Sequence, residues 1–309
     1  MLLHSSQKGV ALITALLIVA LATVISVELS TRLQLDIRRT SNVITSDQAL
    51  LHQKSAEYIA GQFLRDDRLD NTYDHLGEIW AETLTLPVEG GSITGQLTDL
   101  QGCFNLNSLS QSNTANATLS QERFNRLMQQ LANPPGINLS QAIIDWIDAD
   151  LTTTIPDGAE DDYYLNQEWP YRTANQPLQS PSELRLIKGF EEDAVIKQTL
   201  PWLCAFGLPA AINVNTAPEE VLESLAAGID SAKVKDITAN APYETMNDFL
   251  TKNALTTTIT DTAGLSVSSD YFLLSAEANI GQARTLMYSI IHRENNGDTQ
   301  VIARSQGAY

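Results

Sequence analysis

The densest group of residues that could do chemistry is acidic, and it begins in the stretch Asp145-Trp-Ile-Asp-Ala-Asp150. Between Leu127 and Tyr171 the chain carries eight Asp and Glu residues and no Lys or Arg. Carboxylates this close repel one another, and at the end of a helix they also face the negative pole of the helix dipole. The pattern therefore predicts a bound cation; the alternative is a solvated acidic loop.

Calcium fits this stretch best, because it takes about six to eight oxygen ligands and accepts several carboxylates from a flexible loop. The positioning element is a helix predicted to begin near Ser140. It carries Asp145 and leaves Asp148 and Asp150 at its C-terminal end. The site is not an EF-hand, because the register of that motif breaks at Thr152.

Paired carboxylates also serve as catalytic groups in glycosidases, so an exported hydrolase is an alternative from another functional class. The four histidines are scattered along the chain rather than grouped with the acids, at His4, His52, His75 and His292. The sequence has no nucleophile elbow, zinc-protease motif or P-loop. We therefore predict that the protein is not an enzyme.

The charge balance restricts the partners. The 309-residue chain has 37 acidic and 19 basic residues, which gives a net charge of −18. Such a chain lacks the positive surface that neutralises phosphates, so no nucleic-acid partner is predicted, and charge does not favour docking on anionic lipid. A calcium ion or a basic protein is the natural counterpart.

An apolar segment of eighteen uncharged residues, Val10 to Val27, follows Lys8-Gly9. As a helix it is roughly 27 Å long, which is enough to cross the hydrocarbon core of a bilayer. No Gly or Pro occurs between Val10 and Ala60, so one helix is predicted over 10–60, with a kink near Ser46. Its soluble half turns amphipathic, with apolar residues at Leu29, Leu33 and Ile37 and again at Ile59, Phe63 and Leu64.

This segment has three interpretations. It is an anchor-and-assembly helix of the pilin type, a secretory signal peptide cut after Ala20-Leu21-Ala22, or an uncleaved anchor. The continuous helical pattern favours the first, because no turn-forming residue follows Ala22 to present an extended, cleavable segment.

Strands are predicted on both sides of a helical region. Thr83–Val88 and Ser92–Thr98 form a hairpin around Glu89-Gly90-Gly91, and three strands follow near the C-terminus, at Tyr271–Glu277, Arg284–His292 and Thr299–Arg304. The fold class is therefore α+β, a long helix packed on an antiparallel sheet. The helical residues 102–269 are predicted to be an insertion into a core made of 61–101 and 270–309; the alternative is three consecutive domains.

Within the insertion, capping boxes predict helix starts at Thr118, Ser180 and Thr216. A weak internal repeat pairs Cys103-Phe-Asn-Leu-Asn-Ser with Ala211-Ile-Asn-Val-Asn-Thr, which indicates two halves, and their asparagines are predicted to hold turns. Residues 214–237 are similar to a sterile-alpha-motif or helix-hairpin-helix unit. With few basic residues nearby, this unit is predicted to be a packing module. The sequence leaves open whether Cys103 and Cys204 form a disulfide.

The N-terminus resembles the leader of type IV prepilins and pseudopilins: a short polar stretch ending in Lys8-Gly9, then Val10-Ala-Leu. The resemblance implies that residues 1–9 are a leader, that a prepilin peptidase cuts after Gly9, and that Val10 becomes the methylated N-terminus. Most members of that family carry Glu at the fifth mature position, where this chain has Thr14. A subunit without that charge suits the end of a filament rather than its interior.

Four stretches resemble the K-type minor pseudopilins of bacterial type II secretion. They are Asp145-Trp-Ile-Asp-Ala-Asp with Gly158-Ala-Glu-Asp-Asp-Tyr-Tyr, Pro170-Tyr-Arg-Thr-Ala-Asn, Ser180-Pro-Ser-Glu-Leu-Arg-Leu and Ile212-Asn-Val-Asn-Thr-Ala-Pro. The family fold is a pilin-like core with a large inserted α-helical domain that binds calcium. By this resemblance the metal ligands are expected at Asp148, Asp150, Glu160, Asp161 and Asp162, and less firmly at Asp157 and Asp145.

The same resemblance implies a function and a location. The protein is expected to be a tip subunit that nucleates or caps the pseudopilus, together with pseudopilins of the I, J and H types. In this way it supports export of folded proteins across the outer membrane. A single membrane span would hold it in the bacterial inner membrane, with its body in the periplasm. The alternative is a calcium-binding, membrane-anchored adhesin.

Overall fold

The computed structural model describes residues 8–110, 114–134, 136–207, 209–281 and 283–307. The strands are β1 (Leu84–Val88), β2 (Gly91–Asp99), β3 (Phe104–Asn105), β4 (Leu203–Cys204), β5 (Ile212–Asn213), β6 (Leu265–Ser266), β7 (Tyr271–Ile280), β8 (Ala283–Arg293) and β9 (Thr299–Gln306). The helices are α1 (Lys8–Asp70), α2 (Thr114–Gln129), α3 (Leu139–Ile147), α4 (Asp161–Tyr164), α5 (Asp193–Thr199), α6 (Glu219–Ser224), α7 (Ser231–Asn240) and α8 (Met246–Lys252), with 3₁₀ turns at Ile79–Ala81, Leu106–Leu109 and Pro181–Leu186.

Helix α1 is continuous past the predicted kink near Ser46 and continues ten residues beyond the predicted end at Ala60. All described side chains from Val10 to Ile44 are exposed. Burial begins at Ala49, where the helix reaches the sheet. In the part of the chain that the structure describes, this is the one helix long and apolar enough to cross a membrane.

Five antiparallel strands form the main sheet in the order β1-β2-β7-β8-β9. Side chains along β7 alternate between half-buried and buried over its ten residues, so one face of the strand points to the core. Helix α1 packs on that face with small residues: Ala56 and Ala60 lie against Leu274 and Ala276. Small side chains let the helix approach closely enough for Gln53 Nε2 to donate to the Ala276 carbonyl at 2.9 Å.

Because β2 pairs with β7, all elements between Asp99 and Tyr271 form an insertion at one end of the sheet. The predicted α+β fold with a helical insertion is confirmed. The insertion has its own large core, which includes Phe124, Trp146 and Phe249. A disulfide joins Cys103 and Cys204 at its base, the pairing that the sequence left open.

Two equivalent asparagine pairs organise the halves of the insertion. Asn107 exchanges two hydrogen bonds with the backbone of Leu178, and Asn215 does the same with Tyr243. In each half the side chain of the asparagine two residues earlier accepts a hydrogen bond from the next asparagine: Asn105 accepts from the Asn107 N–H, and Asn213 accepts from the Asn215 N–H. The predicted turn-holding role of these residues is therefore confirmed, and each pair also fastens a distant segment.

Two predicted helix starts are wrong and one is confirmed. Ser180 and Glu183 form a capping box, although the element that follows is a 3₁₀ turn. Thr118 lies inside α2, which begins four residues earlier because Thr114 to Ala117 extend the helix. Thr216 caps nothing: its hydroxyl donates to Asp99 instead, so α6 begins without a side-chain cap.

Asp99 is buried at the end of β2, where its carboxylate links the pilin-like core to the insertion through hydrogen bonds. Its carboxylate accepts from Ser269 Oγ at 2.6 Å, Thr216 Oγ1 at 2.5 Å, Asn213 Nδ2 at 3.2 Å and the Gln101 N–H at 2.7 Å. All four donors are neutral groups, and none of them is a Lys or Arg side chain. Burial therefore raises the pKa of Asp99 to about 6.

Candidate cation site

The acidic loop starts where α3 ends. Asn138 caps the helix N-terminus by accepting from Ser140 N, and Asp148 ends it with its N–H on the Ile144 carbonyl. The apolar side of α3 is buried in the insertion core, and this packing fixes the position of the C-terminal end of the helix. Asp148 and Asp150 therefore project from a fixed point, as the sequence predicted.

Asp145 shapes the loop from inside. It is fully buried, and its carboxylate accepts from the Thr154 N–H at 3.0 and 3.2 Å. Gly158 N donates to the Thr154 carbonyl at 2.7 Å, which closes the loop on itself. A Cβ at position 158 would lie 2.2 Å from Asp145 Oδ2, so only glycine fits there.

Three carboxylates meet at the mouth of this loop. Single oxygens of Asp148, Asp150 and Glu160 all lie within 4.8 Å of one another. Glu160 is 4% exposed and precedes the short helix α4. Its Oε2 accepts from Thr173 Oγ1 at 3.3 Å, while its Oε1 has no hydrogen-bond partner among the described residues. Asp148 Oδ1 is buried and unpartnered in the same way.

The electrostatics of the cluster are unfavourable without a cation. Burial, followed by repulsion from Asp145, raises the pKa of Glu160 to about 7. Burial, followed by repulsion from Asp150, also raises the pKa of Asp148. A divalent ion would satisfy the unpartnered oxygens and offset the repulsion, so the donor set fits a hard, oxygen-binding cation.

The other acids expected as ligands have different surroundings. Asp157 accepts from the Asn138 N–H at 2.8 Å and ties the loop to the start of α3. Asp161 accepts from the N–H and hydroxyl of Thr173 at 3.1 and 3.0 Å. Asp162 is exposed. The geometry thus separates three clustered carboxylates from carboxylates that shape the loop.

Sequence reasoning gave no role to Thr173 or Asn175. Thr173 contacts two of the acids, and the Asn175 N–H donates to the Trp146 carbonyl at 3.0 Å, which places it beside the end of α3. Asn175 Oδ1 is buried and has no partner among the described residues. Both residues lie in the Thr-Ala-Asn run that follows the acidic stretch, but nothing in that run marks either side chain as part of the cluster.

Comparisons with known proteins agree over the whole chain. Family models described as type II secretion system protein K match residues 102–210 and 212–268. The chain is 33% identical to type II secretion system protein K of Pseudomonas aeruginosa, over 99% of this chain and 94% of that protein. It is 32% identical to the Aeromonas hydrophila protein of the same name, over 97% of each.

A solved structure shows the same fold. A chain from the crystal structure of the GspK-GspI-GspJ complex of enterotoxigenic Escherichia coli matches with a TM-score of 0.76 and 28% identity, over 88% of this chain and all of that one. The long helix, the antiparallel sheet and the helical insertion are therefore a pilin-like arrangement found in a known pseudopilin complex. The chain belongs to the protein K family of the type II secretion system.

Proposed function

We propose that this protein is the minor pseudopilin at the tip of a type II pseudopilus, where it nucleates or caps assembly and supports export of folded proteins across the outer membrane. The observation that carries the proposal is the insertion between β2 and β7, which places a second globular body at one end of the pilin-like core. A repeat unit inside a filament has no room for such a body at every subunit. The protein acts as an assembly subunit rather than an enzyme.

The N-terminal helix supports the end position. In this proposal the prepilin peptidase cuts after Gly9, Val10 is methylated, and residues 10–27 remain in the inner membrane while the body lies in the periplasm. Thr14 holds the position of the usual carboxylate, and its hydroxyl donates to the Val10 and Ala11 carbonyls of its own helix. It therefore offers no charge to the N-terminus of a subunit ahead of it.

The partners are other minor pseudopilins. A protein of similar structure was solved in complex with GspI and GspJ, and we infer the same classes of partner, together with an H-type pseudopilin, for this chain. Leu29, Leu33 and Ile37 are all about 60% exposed on the uncovered half of α1. Apolar side chains on one helix face beyond the membrane segment suit packing against partner helices.

The cation of the acidic site is proposed to be calcium. Asp148, Asp150 and Glu160 would hold it, because two of them present unpartnered buried oxygens and the third lies within reach. Bound calcium would neutralise the loop and join the end of α3 to the start of α4. Its role in this proposal is to order the insertion, not to take part in a reaction.

The tip position is tested on pseudopili sheared from cells that overproduce the major pseudopilin. A gold-conjugated antibody raised against the full chain should label one end of each filament. Filaments from a strain lacking the protein control for cross-reaction. Gold along the filament length, or no gold on filaments while the protein remains in the membrane, would exclude the tip role and favour the anchored adhesin.

A further inference from the structure

One chain segment connects the acidic cluster to the base of the insertion. At its start, Thr173 contacts Glu160 and Asp161. At its end, Leu178 exchanges two hydrogen bonds of 2.9 Å with the side chain of Asn107. The Asn107 amide also donates to the Phe206 carbonyl at 3.0 Å, two residues beyond the disulfide-bonded Cys204. Segment 173–178 is therefore the physical link between the loop and the disulfide.

Asn175 is the middle residue of this segment and the one with an unmet hydrogen-bonding group. Its N–H is fixed on the Trp146 carbonyl, two residues before Asp148, while its side-chain oxygen is buried without a partner among the described residues. The backbone is left-handed, with φ +47°. Asparagine tolerates this conformation better than most residues. Side-chain amide oxygens are ordinary calcium ligands.

We propose that Asn175 supplies a neutral oxygen ligand to the cation held by Asp148, Asp150 and Glu160, so that cation binding fixes segment 173–178 between α3 and Asn107. This inference rests on the proposed calcium site. It adds a ligand from a part of the chain that contains no carboxylate between Arg172 and Ser182. The cation then controls the order of a segment that reaches the base of the insertion, not only the order of the acidic loop.

A competing explanation uses no metal. The indole Nε1 of Trp146 is also buried without a partner among the described residues. A hydrogen bond from this Nε1 to Asn175 Oδ1 would satisfy both groups. In that case Asn175 would stabilise the metal-free protein equally, and its removal would leave calcium affinity unchanged.

The test measures calcium affinity of the full-length protein in detergent by isothermal titration calorimetry. Asn175→Gly removes the side chain and keeps a residue that accepts positive φ. Asn175→Asp restores an oxygen at the same place. Asn166→Ala is the matched control, because Asn166 is exposed and its amide donates to the Asp162 carbonyl.

We expect Asn175→Gly to weaken calcium binding about tenfold or more, and Asn175→Asp and Asn166→Ala to bind within about threefold of wild type. Hydrogen exchange should show that calcium protects residues 173–178 in wild type and not in Asn175→Gly. Unchanged affinity in Asn175→Gly, with loss of affinity in Asp148→Asn, overturns this inference and leaves the calcium site standing. No calcium binding by wild type overturns both.

Discussion

Arg304, on the last strand, holds the carboxylate of Glu57, on α1, through hydrogen bonds of 2.6 Å from Nε and 2.9 Å from Nη2. Glu57 is 6% exposed and also accepts from Ser289 Oγ at 2.6 Å. The contact lies on the part of the helix that packs on the sheet, about two turns beyond Ala49, where burial begins after the exposed run of 10–44. It therefore helps to fix the direction in which the uncovered half of α1 leaves the body.

We expect Arg304→Ala to lower the free energy of unfolding of the body by about 1–3 kcal/mol, because it leaves Glu57 buried with one neutral donor. Urea denaturation followed by tryptophan fluorescence measures the change. Arg284→Ala is the control, since its pair with Glu277 lies at the surface and should matter less. Equal effects of the two substitutions would contradict a special role for the buried carboxylate.

Asp99 should make stability depend on pH. Its pKa in the folded protein is about 6 because of burial, above its value in the unfolded chain. The folded state thus holds the proton more tightly, so the free energy of unfolding falls as pH rises from about 4 to about 6, by about 3 kcal/mol at most. The difference between wild type and Asp99→Asn, measured across this range, isolates the effect. A difference that stays constant with pH would contradict it.

The disulfide should stabilise the insertion against unfolding, because it closes a loop with a sequence separation of 101 residues. Replacing both Cys103 and Cys204 with serine should cost about 2–4 kcal/mol. Differential scanning calorimetry should show the loss, and adding dithiothreitol to wild type should reproduce it. A double variant that melts like the oxidised wild type would show that packing alone holds the base of the insertion.

Calcium should raise the melting temperature of wild type, and EDTA should lower it, because a ligand bound only by the folded state adds about 2.7 kcal/mol at a hundred times its Kd. Asp148→Asn should remove this response while leaving the EDTA-treated protein at least as stable, since it relieves repulsion with Asp150. Asp162→Asn, at an exposed position, is the control. An EDTA-insensitive wild type would exclude a stabilising calcium ion.

Intact mass and N-terminal sequencing of protein purified from membranes should give a chain that begins at methylated Val10. Gly9→Ala should keep the leader, because the peptidase requires the glycine in our proposal. A chain that begins at Thr23 would instead identify a discarded signal peptide and a body released from the membrane.

Much of the fold was predictable because its signals are local. Glu89-Gly90-Gly91 between two alternating stretches defined the β1–β2 hairpin, and the absence of Gly and Pro defined α1. The end of α3 followed from a short apolar period that stops at Asp148. These features depend on neighbours in sequence, which periodicity and turn chemistry describe well.

The features that sequence analysis missed depend instead on contacts between residues that are distant in sequence. Thr216 has the spacing of a helix cap, but its hydroxyl donates a hydrogen bond to the buried carboxylate of Asp99, 117 residues away. The expected ligand set is a different case, because three of its seven acids, Asp145, Asp157 and Asp161, accept hydrogen bonds from backbone N–H groups that sequence spacing alone does not identify. Asn175 was missed because nothing local distinguishes an asparagine with a free buried oxygen from one in a solvated turn.

The insertion begins and ends at one point of the sheet, where the Leu100 N–H donates to the Tyr271 carbonyl at 3.0 Å. If residues 101–269 were replaced by a tight turn, the five strands would follow one another as a simple meander with every ladder intact. The insertion therefore occupies a single connection, between β2 and β7, and leaves every strand pairing of the sheet unchanged. The chain is in this sense a complete pilin-like core that carries a second globular body at one hairpin.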